Sequence, residues 1–217
     1  SDDGQVVAYV VANGSSGHVF VYDRTDGTTA QVTRVPVLLE SAAISGDGST
    51  VAFTTWTDDV VDGDVNARSD VFVWDRATGT TERITDNATG DPDSLGSIPS
   101  LSADGSSVAY SLHLGVPGAP HTFVWDRATG ARTPVPHGGD FPQISSDGRR
   151  ILSASSSATI PSGGEDLVVW DRSTGAVQRT PADSHSSDHF AFAGDGRHLV
   201  FGSGIFGPAM SVWELLD

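Results

Sequence analysis

Asp62, Asp64 and Asn66 occupy alternate positions of the segment TDDVVDGDVNARSD (57–70), and Asp70 closes it. Side chains spaced by two fall on one side of an extended loop. A hard cation such as Ca²⁺ collects about 6–8 oxygens from carboxylates, Asn side chains, backbone carbonyls and water. Metal binding by Asp62, Asp64, Asn66 and Asp70, with Ca²⁺ as the cofactor, is therefore one expectation. The segment is not an EF-hand loop, because the central Gly and the terminal bidentate Glu of that motif are missing. A solvated acidic loop is the competing reading. A second acidic run, DNATGDPD (86–93), could add Asp86, Asp91 or Asp93 to the same rim.

Other chemistry is sparser. His185, Asp188 and His189 lie together in DSHSSDH (183–189), a spacing that only loosely fits a Zn²⁺ or acid–base site. His113 and His121 flank another loop. Trp56 stands at the head of the acidic segment, beside Asp58 and Asp59, where an aromatic face could meet a ligand. We take Trp56, Asp58, Asp59, His113, His185 and His189 as candidate ligand-binding residues. No Gly-x-Ser-x-Gly nucleophile elbow occurs. Paired carboxylates for sugar cleavage would have to converge across a pocket from separate elements, about 5–10 Å apart.

Composition narrows the partners. The 217-residue chain carries 28 acidic and 12 basic residues, for a formal net charge of −16, and every basic residue is Arg. Such a surface repels phosphate backbones and anionic lipid, which argues against nucleic acid and membrane insertion as partners. No stretch approaches the roughly 18 apolar residues of a membrane span. Cysteine is absent, which rules out disulfides and thiolate metal sites and fits an extracytoplasmic, secreted or periplasmic, location.

The elements that must position these residues are repeated. VWDRATG occurs at 73–79 and again, letter for letter, at 124–130. Two anchors recur through the chain. One is a turn: SDDGQVVAY (1–9), SGDGSTVAF (45–53), SADGSSVAY (102–110), SSDGRRILS (145–153) and AGDGRHLVF (193–201). The other is VFVYDRTDG (19–27), VFVWDRATG (71–79), TFVWDRATG (122–130), LVVWDRSTG (167–175) and, weakly, SVWELLD (211–217). A unit of about 45 residues matches a propeller blade. Each unit parses as a short apolar strand, an Asp-Gly turn, a β-branched strand, a variable loop, the VFVWD strand with period two, a D-R-x-T-G turn and a last strand. That predicts an all-β fold of four-stranded antiparallel blades, strands A to D, with units of approximately 1–36, 37–94, 95–138, 139–183 and 184–217 in one domain.

The signatures S-x-D-G-x-x-V-A-F and D-V-F-V-x-D-R-x-T-G-x-T resemble those of TolB-like β-propeller repeats of exported bacterial proteins. The resemblance covers nearly the whole chain and implies a propeller. It leaves the activity open, because propellers host unrelated functions. The first unit opens at its Asp-Gly turn without a full strand A, and the last stops after strand C. We therefore expect a five-bladed ring with incomplete end blades, the alternative being part of a larger propeller.

Strands that run up and down put the A–B and C–D turns at one end. The B–C loops and D–A connections, which vary, share the other end, where function concentrates. The repeated Trp74, Trp125, Trp170 and Trp213, with Tyr22 in the matching place, read as packing residues. The Asp-Arg pairs beginning at Asp23, Asp75, Asp126 and Asp171 read as scaffold, Asp capping its turn and Arg reaching an acidic neighbour. The function expected is that of a non-catalytic acidic binding or scaffolding module, holding a protein, peptide or glycan on the variable-loop face. The alternatives are a hydrolase or lyase with carboxylates around an axial pocket, or the propeller domain of a longer enzyme.

Overall fold

The computed structural model describes residues 1–14, 16–37, 39–64, 68–85, 98–112, 122–156, 165–179, 190–193, 195–203 and 209–215. Among them every regular element is a β-strand. The first sheet consists of β1 (Val6–Asn13), β2 (Ser16–Asp23) and β3 (Thr29–Gln31). The second has β4 (Leu39–Ile44), β5 (Thr50–Thr55), β6 (Asp70–Asp75) and β7 (Thr80–Arg83). The third has β8 (Ser100–Leu101), β9 (Ser107–Ser111), β10 (Thr122–Asp126) and β11 (Ala131–Pro134). The fourth has β12 (Asp140–Ile144), β13 (Arg150–Ser156), β14 (Glu165–Asp171) and β15 (Val177–Arg179). The fifth has β16 (Phe190–Phe192), β17 (His198–Ser203) and β18 (Ala209–Glu214). Each sheet is an antiparallel meander of consecutive strands, as the repeat predicts. Among the described residues the first sheet lacks strand A and the fifth lacks strand D.

The S-x-D-G signature has a direct physical reading. In the third unit Ser102 Oγ donates to Asp104 Oδ1 at 2.7 Å and accepts from Ser107 N at 3.0 Å, while Ser106 N donates to Asp104 Oδ1 at 3.0 Å. Those hydrogen bonds, Ser102's first, hold the Asp104 carboxyl below its usual range. Ser45 with Asp47 and Ser145 with Asp147 repeat the arrangement at 2.6 Å each. Gly105 follows with φ +65°, and a Cβ there would stand 2.4 Å from Thr50 Oγ1 of the preceding sheet, so the position needs Gly for conformation and for space. The D-R-x-T-G turn works alike: Thr78 N and Oγ1 both donate to Asp75 Oδ1, and Arg76 N donates to Ser49 O at 2.9 Å. That last bond, repeated by Arg127 to Ser106 and Arg172 to Arg149, ties the C–D turn to the A–B turn of its own unit and places both at one end.

Strand register sorts the side chains onto two faces. Val51 pairs with Trp74, Val108 with Trp125, Ile151 with Trp170 and Leu199 with Trp213. These pairs form a trailing face, turned toward the preceding sheet. Ala52 with Val73, Ala109 with Val124 and Leu152 with Val169 form the leading face, turned toward the next. Large residues thus close on small ones. Phe53, Phe72 and Trp74 meet Val19 and Val21; Tyr110 and Trp125 meet Ala52 and Val73; Ile151 and Trp170 meet Ala109 and Val124; Leu199 and Phe201 meet Leu152 and Val169. The repeated Trp residues are packing groups, as expected from their strand position.

Arginines at the C–D turns reach back across the same four-sheet run. Arg76 pairs with Asp23 and Arg127 with Asp75, each one sheet earlier, and Arg172 Nη2 lies 3.8 Å from Asp126 Oδ2. The guanidinium side chains are 24–34% exposed, so each pair is worth ~1 kcal/mol or less. The buried Trp contacts carry the energy and the ion pairs set register. Trp125→Ala should cost about 3–5 kcal/mol in chemical denaturation, whereas Arg127→Ala should cost about 1 kcal/mol or less. Comparable losses for the two would refute that ranking.

Candidate functional site

The inner strands surround a cavity of about 570 Å³, lined by residues from Ala43 to Phe190 of the second to fifth sheets. Among the described residues its lining is apolar apart from Ser100 and Gln143, and none of them is a carboxylate. Ile98 is 55% exposed and Phe141 43% exposed, both toward this space. Phe141 has φ +53°, a costly conformation for a residue with a Cβ. The β12–β13 register shifts between Asp140 and Gln143, and that bulge presents the ring to the cavity instead of packing it between sheets. Around it, Gln143 Nε2 donates to Phe190 O at 2.6 Å and Ile144 N donates to Ser100 Oγ at 3.1 Å, stitching neighbouring inner strands together.

Ile98 and Phe141 were not among the residues singled out from the sequence. Each stands four residues before the Ser of an S-x-D-G turn and directly before a Pro, in IPSLS and FPQIS. Aligning the short inner strands to that Ser would have exposed the pair.

Two of the candidate metal ligands in the acidic segment lie against an arginine. Asp64 and Asp70 are buried and share Arg83: Arg83 Nη1 donates to Asp64 Oδ1 at 2.8 Å and lies 3.6 Å from Asp70 Oδ2. Thr85 Oγ1 donates to Asp70 Oδ1. Asp62 is exposed. A guanidinium occupies the position between Asp64 and Asp70, and no group of three or more candidate metal ligands is present among the described residues. The fourth sheet repeats the device, with Arg179 Nη1 3.4 Å from Asp166 Oδ2. Burial, reinforced by the Asp70 charge, pushes the Asp64 carboxyl up to about 6.

Asp59, with φ +67°, and Asp62 line a separate cleft of about 370 Å³ with Arg34 and Val60. Trp56 and Asp58 are half-buried nearby in sequence. Asn66, His113, His185 and His189 lie outside the described residues, as do Asp86, Asp91, Asp93, His121 and Asp188. No described helix is long and apolar enough to cross a membrane.

Comparison with known proteins shows the fold. No protein-family model matches the chain, and no curated protein sequence matches it. Among solved structures, TolB from Acinetobacter baumannii aligns over 98% of this chain and 50% of its own, at 18% identity and TM-score 0.64. A putative TolB from Agrobacterium tumefaciens aligns over 98% and 73%, at 20% identity and TM-score 0.62. An oligogalacturonate lyase in complex with manganese aligns over 93% and 55%, at 18% identity and TM-score 0.60. The chain has a TolB-like β-propeller fold and spans half the length of the Acinetobacter protein.

Two predictions follow from the acidic cluster. A raised carboxyl binds a proton in the folded state at a pH where the unfolded chain has released it. Stability from Asp64 is therefore lost as pH rises from about 4 to 6, by on the order of 3 kcal/mol. Asp64→Asn should flatten that portion of the pH–stability curve; an unchanged slope would contradict the burial argument. Because Arg83 already occupies the space between the two carboxylates, millimolar Ca²⁺ should leave the wild-type melting temperature unchanged. A rise of several degrees that Asp64→Ala removes would instead assign the segment to calcium.

Proposed function

We propose that this TolB-like propeller is a non-catalytic binding module that takes an apolar side chain or short apolar segment of a protein or peptide into its axial cavity. The observation that supports this most is the lining: Ile98, Phe141 and Leu101 offer exposed or half-exposed carbon over the buried Phe190, and Gln143 and Ser100 supply the polar points that orient a ligand. A glycan would call for a denser ring of hydrogen-bonding groups than the described part of this lining provides. A hydrolase or lyase working through carboxylates would need acids at the cavity; among the described residues the acids that line a cleft, Asp59 and Asp62, line a different one. The net charge of −16 favours a partner with basic residues beside the apolar segment. The absence of cysteine fits extracytoplasmic work. Since the chain spans half of the Acinetobacter TolB, the same cavity also suits a propeller domain that binds on behalf of a longer protein.

Fluorescence polarisation against peptides with an apolar centre and Lys or Arg flanks tests the reading. Saturable binding is expected, weakened at least tenfold, or ~1.4 kcal/mol, by Phe141→Ser or Ile98→Ser and untouched by Asp59→Asn. Failure of every peptide to bind, together with turnover of an ester, peptide or uronide substrate that Asp59→Asn abolishes, would replace the binding reading with the enzymatic one.

A further inference from the structure

Arginine is the sole basic residue type of this chain, and its guanidinium groups are almost all engaged. Arg76, Arg83, Arg127, Arg149, Arg172 and Arg179 meet carboxylates, and Arg132 lies over the Phe123 ring. Arg24 and Arg150 donate to carbonyls, and Arg68 and Arg197 also have partners. Arg34 alone makes no hydrogen bond, ion pair or ring contact among the described residues. Its isolation is not for want of acids, since Asp59 and Asp62 line the same cleft of about 370 Å³. Neither acid pairs with Arg34, and neither carboxylate has a hydrogen-bond partner among the described residues. All three side chains are exposed.

The backbone that carries these charges is held on both segments. Val32 N donates to Val19 O and Val37 N to Gly17 O, each at 2.8 Å, which fastens the stretch around Arg34 to β2. Val60 is buried in the core shared by the first two sheets, and the Asp64 carboxylate accepts from Arg83. Asp59 N donates to Asp64 O at 3.4 Å, closing the acidic loop with Asp59 at φ +67°. The rest of the lining is aliphatic, Val35, Val60 and Val61, or hydroxylic, Thr80 and Thr81. The cleft therefore presents one cation and two anions in a fixed frame before any ligand arrives, the condition for binding without a large ordering cost.

Opposite charges that share a concave site without pairing call for a ligand that carries both signs. A guanidinium fork suits a carboxylate, and two carboxylates suit two cationic groups. We infer that this cleft binds a basic α-amino acid such as free lysine or arginine, its carboxylate on Arg34, its α-ammonium and side-chain cation on Asp59 and Asp62. The methylene stem of such a ligand has the valine side chains to lie against. A neutral amino acid would leave one acid unmatched, and an acidic one would bring a second carboxylate against Asp59 or Asp62. The volume is near the low end of small-molecule sites, about 300–1,000 Å³, which suits a single amino acid. This cleft shares no lining residue with the axial cavity and is independent of the peptide reading.

Isothermal titration calorimetry of the 217-residue chain with lysine and arginine tests this. Saturable one-to-one binding is expected. Lysinamide, which lacks the carboxylate, and norleucine, which lacks the side-chain cation, should each bind about tenfold more weakly or worse. Arg34→Gln should weaken lysine by about tenfold and leave lysinamide no weaker, because only the carboxylate contact is removed. Asp59→Asn and Asp62→Asn should each weaken lysine several-fold; Asn tolerates the positive φ of position 59. Circular dichroism checks that these variants, all at exposed positions, stay folded. Phe141→Ser should leave lysine binding unchanged, and peptides capped at both ends, which lack both termini, report the axial cavity separately. No binding of lysine or arginine at tens of millimolar would overturn the inference. So would lysine binding that Arg34→Gln leaves intact, which would mean a cation drawn to an acidic surface only. Nα-acetyl-lysine bound as tightly as lysine would contradict it as well, since one of the two acids would then go unused.

Discussion

A four-stranded sheet with apolar residues on both faces cannot be stable alone, and that constraint organises everything else in this chain. The second to fifth sheets each bury a trailing face of large apolar residues, Trp, Phe and Tyr prominent among them, against the aliphatic residues of the sheet before. Large against small lets flat meanders interlock at full packing density, and stability then adds up from neighbour to neighbour along the run. The hydrogen-bonded turns contribute less energy than this packing. Their work is to hold the strands in the register that brings the large row and the small row face to face.

That division of labour explains why the two turn motifs are so constant and the other end of the molecule is so varied. Ser-x-Asp-Gly leaves no freedom: the Ser and Asp side chains satisfy the turn amides, and the glycine slips beneath the preceding sheet. Asp-Arg-x-Thr-Gly closes the neighbouring hairpin and ties it to the first turn. With one end fixed in this way, the inner strands can differ in sequence without disturbing the scaffold. The fourth sheet uses that latitude for the bulge that turns Phe141 into the axial cavity.

Most of the architecture was legible in the sequence because its determinants are local and repeated. The Asp-Gly and Thr-Gly turns, the period-two strands and the recurring Trp all depend on residues a few positions apart. The candidate site was much less so. Asp64 and Asp70 look like part of a cation loop when read along the chain. In the structure both also face Arg83, which sits thirteen residues beyond Asp70, across the β6–β7 hairpin. The same thirteen-residue offset joins Asp166 to Arg179 and places His18 beside Gln31, at 3.0 Å, so a comparison of units by strand register would have revealed a cross-hairpin polar position. Ile98 and Phe141 escaped notice because the inner strands are short and carry no repeated consensus besides the Ser that ends them. Exposed apolar side chains on such strands become meaningful only once the strands are known to face a common axis.

The central claim is that successive sheets stabilise one another by face-to-face packing, with the middle of the run held from both sides and its ends from one. Native-state hydrogen exchange, resolved by residue, measures this directly. The account predicts that amides of β5, β9 and β13 exchange only with global unfolding, while those of β1 and β18 open at lower free energy. Equal protection across all five sheets, or a first sheet that outlasts the third, would contradict it.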